Sequence, residues 1–116
     1  MRTFLESANK THLRFVAKTP RERFRGLMFQ PPLLPNEAAL FVYDTPTKGS
    51  FWNKNVDFPI QIGFFDQQRK LIAVRRLEAQ QQSSVGPNKE YRYALETSDG
   101  FFDAIPEGTL LDSLLK

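Results

Sequence analysis

The sequence contains no cysteine and only one histidine, which narrows the chemistry open to it. Without cysteine there can be no disulfide framework, thiolate zinc site, cysteine nucleophile or iron–sulfur ligation. His12 alone provides no His–His pair within one chain, so any metal site would have to be rich in carboxylates. We expect neither a metal nor a cofactor.

Long apolar runs are also missing. No stretch approaches the roughly 20 apolar residues that span a bilayer, so we expect no transmembrane segment. The first ten residues lack the apolar centre of a secretory signal and carry Glu6. We therefore expect a cytoplasmic protein, with a removed leader or a phage origin as the alternatives.

Charge is nearly balanced but unevenly placed. The chain has 16 basic and 13 acidic residues, a formal net charge of +3. Most residues of the first quarter that carry charge are basic, whereas the last quarter is mainly acidic. The two ends either form opposite faces of one globule or present a basic patch to an acidic partner. Nucleic-acid modules have denser basic clusters, so we do not expect a nucleic-acid partner.

The residues that are present favour one compact, mainly β domain. A chain of 116 residues with 41% hydrophobic residues and 11 phenylalanines can bury a core. Several segments alternate apolar and polar side chains or are continuously apolar, as strands do. These segments are residues 13–18, 39–43, 51–56, 60–65, 70–77 and 91–96. We expect an α+β fold with a curved, antiparallel-rich sheet or a partly closed barrel, and one or two short helices.

The connections can be placed as well. We expect an N-terminal arm over residues 1–11 and a single domain over residues 12–116. The polar stretch 79–90 predicts a long loop, and residues 44–49 predict a turn. The leucine-rich tail, residues 110–115, fits either a terminal strand or a helical turn.

A short helix is predicted after the first strand. Thr19 at the N-cap, Pro20 at the first helical position and Glu22 at the third form a capping box. The helix should run toward Met28, with Gly26 either ending it or allowing another backbone to approach closely. The apolar stripe of this helix is expected to be Phe24, Leu27 and Met28.

Three stretches of sequence carry a family resemblance. They are residues 17–29, with the capped helix and Gly-Leu-Met; Phe-Trp-Asn-Lys-Asn at 51–55, followed by Pro59 and Phe64; and Leu-Glu at 95–96 with Gly-Phe-Phe at 100–102, Ile105 and Gly108. Together they resemble the domain of unknown function 192 family, small and mostly bacterial or archaeal proteins. The resemblance covers about residues 12–110. Because the activity of that family is not known, it implies no reaction.

The chain departs from the family pattern at three informative positions. Asn53 stands where the family usually has Met, Val56 where it has Thr, and Gln61 where it has Asp. A carboxylate at position 61 could have been a general base or a metal ligand. Glutamine does not ionise and can be neither.

Candidate ligand-binding residues concentrate in residues 51–55. In an extended segment Trp52 and Lys54 face one way, and Asn53 and Asn55 face the other. An indole, side-chain amides and an ammonium on one concave surface suit a sugar ring or another planar ligand. The alternative is that Trp52 is a core residue and Lys54 lies along the surface.

Arg25 and Glu96 complete the candidate set. Arg25 shares a helix face with Arg21 and could clamp a carboxylate or phosphate, or belong to a solvated face. Glu96 is the best acid candidate, and we expect it to form a structural ion pair with Lys54 or Arg25. Glycosidase-type chemistry would need a second carboxylate, and Asp57 could supply one only if the fold brings the two together.

Three kinds of function follow from these residues. No phosphate-binding loop, serine elbow or metal-spaced pair is present, so we identify no catalytic residue. The main hypothesis is a non-catalytic binding module for a carbohydrate, another small polar ligand or a protein surface. The alternatives are a small hydrolase or isomerase that uses Glu96 with Lys54 or Arg25, and a protein that binds partners through its basic face. The oligomeric state is left open.

Overall fold

The computed structural model describes residues 10–116, so most of the predicted N-terminal arm lies outside the described residues. The elements, in chain order, are β1 (His12–Ala17), α1 (Pro20–Arg25), β2 (Glu37–Thr47), β3 (Ile60–Phe65), β4 (Leu71–Leu77), β5 (Tyr91–Ser98) and a 3₁₀ turn (Leu111–Ser113). In the described part of the chain, no helix is long and apolar enough to cross a membrane.

The five strands form one open sheet in the order β1-β2-β5-β3-β4. β1 and β2 are parallel, and the other three neighbouring pairs are antiparallel. The prediction of a mainly β domain with an antiparallel-rich sheet and one or two short helical elements is confirmed. Because β1 and β4 remain as edges, the sheet does not close into the barrel that we considered.

Each face of the sheet packs against a different part of the chain. The face toward α1 and the loop over residues 48–59 is called the helix-side face here. Its buried residues include Leu27, Phe41, Phe51, Ile62, Phe64 and Ala94. The other face is covered by residues 99–115 and is called the tail-side face. Its buried residues include Leu40, Phe65, Leu71, Leu95, Phe102 and Leu111.

The helix α1 begins as the sequence predicts and ends earlier. The Thr19 hydroxyl accepts a hydrogen bond from the Glu22 N–H, and the Glu22 carboxylate accepts one from the Thr19 N–H, which confirms the capping box. Gly26 has φ of 44°, a left-handed conformation that glycine tolerates, and it ends the helix after Arg25. The predicted extension toward Met28 is therefore wrong.

Two connections differ from the sequence prediction. Residues 44–47, predicted as a turn, continue β2 because Thr47 pairs with Tyr91 after an irregularity in the register. Residues 51–56 do not form a strand. Only Phe51 makes an isolated bridge, to Val85, and Asn55 adopts φ of 62° in a turn.

The tail uses both of the structures considered for it. It contains the 3₁₀ turn, and isolated bridges join Leu110 to Lys70 and Leu115 to Thr11. The polar segment over residues 79–90 is a long loop, as predicted, with a single bridge at Val85. The tail therefore covers the tail-side face of the sheet.

Candidate functional site

A cleft of about 200 Å³ opens on the helix-side face. One wall comes from α1 and the turn that follows it, and another comes from the loop over residues 50–56. Phe41 and Tyr43 of β2 line the cleft between these walls, and Glu96 of β5 lies at its base. Alternation along the strands explains this placement, because Phe41 and Tyr43 are two positions apart and share a face.

Glu96 carries the carboxyl group of the cleft and lies in an apolar part of the sheet. Across the ladder it pairs with Ala39 on one side and with Ile62 on the other, and the residue is only 4% exposed. Burial raises the pKa of Glu96 to about 8, because the charged form loses its hydration. The side chain can therefore carry a proton at neutral pH.

The expected ion pair of Glu96 with Lys54 or Arg25 is wrong. The salt bridges among the described residues join Arg14 to Glu37, Arg69 to Asp112, and Arg76 to both Glu78 and Asp99. Burial alone accounts for the raised pKa of Glu96, with no compensating cation or hydrogen-bond donor. The carboxyl thus has no ion-pair partner in the described part of the chain, and its oxygens keep contact with the cleft, since they are not among the fully buried atoms that lack a hydrogen bond.

Trp52 and Lys54 lie at the rim of the cleft. The indole is 37% exposed, so Trp52 is not the sealed core residue that was the alternative. The Lys54 Nζ lies 5.4 Å from the centroid of the Trp52 ring, within the range of a cation–π contact. The Phe24 and Trp52 ring centroids are 6.4 Å apart. The rim therefore combines aromatic surface with an exposed ammonium group.

The two asparagines play different parts. Asn53 is 1% exposed, and its Nδ2 donates to the carbonyls of Phe58 at 3.0 Å and Glu78 at 2.9 Å. Asn53 is among the residues that line the cleft, and its buried side chain fastens the 50–56 loop to the rest of the fold. Asn55 does not line the cleft; its N–H donates to Gln80 Oε1 at 3.1 Å. Of the predicted candidates, Trp52, Lys54, Asn53, Arg25 and Glu96 line the same cleft.

Sequence reasoning missed Arg23 and Tyr43. The Arg23 guanidinium donates to the carbonyls of Lys18 at 2.6 Å and Val42 at 2.9 Å, and it lies 4.4 Å from the centroid of the Tyr43 ring. Burial raises the pKa of Tyr43 above its usual value. The position of Tyr43 could have been predicted from the sequence, since it is two residues after Phe41 in β2 and therefore lies on the same face of the sheet.

The expected apolar stripe of α1 is partly wrong. Leu27 is buried, but Phe24 is 66% exposed and stands at the cleft rim beside Trp52. Because α1 ends at Arg25, Leu27 and Met28 belong to the turn after it, and the helical spacing of the stripe does not apply. Phe24 is therefore an aromatic surface at the cleft and not a core anchor.

No second carboxylate reaches the cleft from the described residues. Asp57 is exposed and accepts a hydrogen bond from the Gln80 amide, so it does not pair with Glu96. Gln61 lies on the tail-side face, where it bonds Asp103 and the Phe102 N–H. Within residues 10–116, no group of three His, Asp or Glu side chains is placed to hold a metal ion.

Family and structural comparisons agree with this fold. The family model DUF192, described as Uncharacterized ACR, matches residues 4–112. The chain belongs to the domain of unknown function 192 family. The resemblance carried by the three sequence stretches is therefore confirmed, and family membership assigns no reaction to the cleft.

Two solved structures are similar to this chain. A protein of unknown function from Novosphingobium aromaticivorans DSM 12444 is 24% identical, with a TM-score of 0.77 over 83% of this chain and 71% of that one. A proposed transcription regulator from Sinorhizobium meliloti 1021 is 20% identical, with a TM-score of 0.77 over 80% of this chain and 74% of that one. At such identities the likeness shows the fold alone. No curated protein matches this chain.

Proposed function

We propose that this chain is a non-catalytic binding module and that the cleft above Glu96 holds a small polar ligand, with a carbohydrate as the best candidate. The observation that carries the proposal is the carboxyl of Glu96, buried beside an open cleft with no partner among the described residues. Nearly buried polar groups normally have a hydrogen-bond partner in the protein or in ordered water. The Glu96 oxygens are not among the fully buried, unpartnered atoms of the described residues, so they remain accessible from the cleft, where a ligand hydroxyl or carbonyl can take the place of water.

The rim supports a ligand with both apolar and polar surface. Trp52 and Phe24 expose aromatic rings, against which the apolar face of a sugar ring packs. Lys54 and Arg25 line the same cleft and supply donors in aqueous surroundings. A few polar groups within an otherwise apolar concavity are the usual composition of small-molecule sites.

The enzymatic alternative has one observation in its favour. A carboxyl whose pKa is raised to about 8 by burial is suited to act as a general acid. Glycoside hydrolysis, however, uses two carboxyl groups about 5–10 Å apart, and Glu96 is the only carboxyl among the described residues that line the cleft. Binding without catalysis is therefore the function that the geometry supports best.

The single tryptophan makes this proposal direct to test. Since Trp52 is the only tryptophan of the chain, emission excited at wavelengths that tyrosine does not absorb reports on the cleft rim alone. We expect at least one member of a panel of common monosaccharides and small organic acids to change the Trp52 emission in a saturable way. The same compound should raise the melting temperature, because it binds only the folded state.

Two variants separate cleft binding from binding elsewhere. Glu96→Ala should abolish the rise in melting temperature, whereas Glu107→Ala, which removes an exposed carboxyl outside the cleft, should leave it unchanged. A panel that moves neither the emission nor the melting temperature would refute the proposal for small ligands. Turnover of nitrophenyl glycosides that is lost in Glu96→Ala would instead favour the enzymatic alternative.

A further inference from the structure

The base of the cleft presents a hydrogen-bond donor at neutral pH and not a negative charge. Glu96 lies on β5 between Ala39 and Ile62, with the alkyl surfaces of both strands beside it. Burial there raises its pKa to about 8, so the carboxyl is mainly protonated near neutral pH. A protonated carboxyl donates one hydrogen bond and can still accept another.

The rim is positively charged. Arg25 and Lys54 line the cleft, and neither forms a salt bridge with another residue of the 10–116 segment. The guanidinium of Arg23 also lines the cleft but is held by main-chain carbonyls. When Glu96 carries its proton, the charges around the cleft are all positive, and this field attracts anions.

The size of the cleft favours a ligand that places a single ring inside it. Its volume of about 200 Å³ lies below the range of about 300–1,000 Å³ that drug-sized ligands occupy. Trp52 at the rim supplies a flat apolar surface on the scale of one sugar ring. Three features therefore describe the cleft: a hydrogen-bond donor at its base, positive charge at its rim, and a small volume beside the flat Trp52 ring. A ligand that matches them is a single ring with hydroxyl groups and a negative charge at its edge.

We infer, on the basis of the proposed binding function, that the ligand is a uronic acid unit whose carboxylate pairs with Arg25 and Lys54 while a ring hydroxyl accepts a hydrogen bond from Glu96. A guanidinium can bind a carboxylate through two parallel hydrogen bonds, which favours a carboxylate over a neutral hydroxymethyl group at the same position. Uronic acids occur as free sugars and at the ends of acidic polysaccharides. Both forms present these groups to the cleft.

The test is a calorimetric titration of the whole chain with matched pairs of sugars. Glucuronate is compared with glucose and galacturonate with galactose, and trigalacturonate represents the end of a polysaccharide. At low salt and about pH 6.5 we expect at least one acid to bind about tenfold more tightly than its neutral partner. Tighter binding of trigalacturonate would assign the polysaccharide end, and equal binding would assign the free sugar.

Three variants test the assigned contacts. Lys54→Met and Arg25→Gln should each reduce the preference for the acid by about tenfold, and neither change removes a buried side chain. Lys89→Met, an exposed lysine outside the cleft, is the matched control and should keep the preference. An unchanged preference in both cleft variants would overturn the assignment of the carboxylate contact.

A pH series isolates the contribution of Glu96. The charged and titratable groups that line the cleft with it are Arg23 and Arg25 from the α1 wall, Tyr43 from β2 and Lys54 from the loop. Above about pH 8 the ionised Glu96 loses its donor and repels the ligand's carboxylate, so affinity should fall about tenfold by about pH 9. Glu96→Gln keeps a donor and the other groups, and its affinity should stay within about twofold over the same range.

The outcomes distinguish the two levels of the proposal. Equal binding of acid and neutral sugars would overturn the uronic acid inference and leave the small-ligand cleft standing. Binding of a compound from the broader panel, with no heat from any of the five sugars, would have the same meaning. No binding in either experiment would overturn both.

Discussion

Each face of the sheet contains a nearly buried polar side chain, and the two side chains differ in their hydrogen-bond partners. On the tail-side face, the Gln61 Nε2 donates to Asp103 Oδ1 at 2.9 Å and its Oε1 accepts from the Phe102 N–H at 2.6 Å. On the helix-side face, Glu96 has no comparable partner among the described residues. The glutamine therefore fastens the tail to the sheet, whereas the glutamate remains available at a cleft.

The difference matters because the two residues lie close together in the sheet. Gln61 precedes Ile62, which pairs with Glu96 across the β3–β5 ladder. An unpaired buried carboxyl lowers stability when it ionises, whereas the Gln61 amide is neutral and has both an acceptor and a donor partner. Two side chains at neighbouring positions of the sheet therefore have different environments because they lie on opposite faces.

Among substitutions on the two faces, Glu96→Gln should change the free energy of unfolding most, because it removes the ionisable group of the helix-side face. Burial raises its pKa from 4.5 to about 8, so the native state keeps a proton that the unfolded chain releases. The stability that this group contributes is present below about pH 4.5 and is lost as pH rises through about 8, on the order of a few kcal/mol. Glu96→Gln should be more stable than the wild type at about pH 9 and similar to it near pH 4.5. Urea unfolding at both pH values measures the difference.

A matched control accompanies that experiment. Glu107→Gln changes an exposed carboxyl and should reproduce the wild-type dependence of stability on pH. A Glu96→Gln variant with the same pH dependence as the wild type would show that Glu96 is not the buried acid that the geometry describes.

The next largest effect should come from overfilling the tail-side face. A Cβ at Gly63 would overlap the Phe102 ring, which lies directly over this glycine. Gly63→Ala should therefore lower the free energy of unfolding by about 2–3 kcal/mol, measured by thermal or urea unfolding. Gly49→Ala is the matched control, because a Cβ there meets Thr47 Oγ1 at 3.5 Å, an ordinary contact. Equal stability of the two variants would mean that Phe102 moves aside at no cost.

A smaller loss is expected from breaking the bonds of Gln61. Gln61→Ala leaves the buried Phe102 N–H without its acceptor, which should cost about 1–2 kcal/mol in urea unfolding. Gln67→Ala, in an exposed turn, should change stability by less than about 0.5 kcal/mol. If the two alanine variants are equally stable, the contrast between the two faces loses its physical basis.

The smallest change in stability is expected at the cleft rim. Trp52 is 37% exposed, and Trp52→Leu keeps an apolar side chain over the covered part of the ring, so this change should lower the free energy of unfolding by less than about 1 kcal/mol. The same variant should lose ligand binding, since it removes the aromatic surface at the rim. Parallel unfolding and calorimetric titration with the preferred ligand would separate the two effects, and a large loss of stability would place Trp52 in the fold.

Local signals in the sequence predicted most of the individual strands and the helix, but not the order of the strands in the sheet. The capping box at Thr19 located α1, and Pro59 marked the residue before β3. The length of β2 was not predictable in this way, because Asp44 and Pro46 are typical turn residues. Its extension depends on pairing between Thr47 and Tyr91, two residues far apart in the sequence.

The candidate site was nominated by chemical type, and its geometry required the fold. Trp52, Lys54, Arg25 and Glu96 were chosen because their side chains bind polar ligands, and all four line one cleft. Their role in binding stays a prediction. The ion pair of Glu96 was wrong because its environment is set by neighbouring strands, which the local sequence does not reveal. The exposure of Phe24 likewise depends on where α1 ends.

The hydrogen bonds of Arg23 have a consequence for engineering this chain. Its guanidinium donates hydrogen bonds to the main-chain oxygens of Lys18 and Val42, and any amino acid at those two positions would provide the same acceptor. The cleft wall is thus held by the Arg23 side chain and two main-chain oxygens, and not by the exposed rim residues Trp52, Lys54 or Arg25. Substitutions of these exposed rim residues should therefore leave the cleft open, which makes this chain a suitable small scaffold for placing new side chains around a preformed cavity.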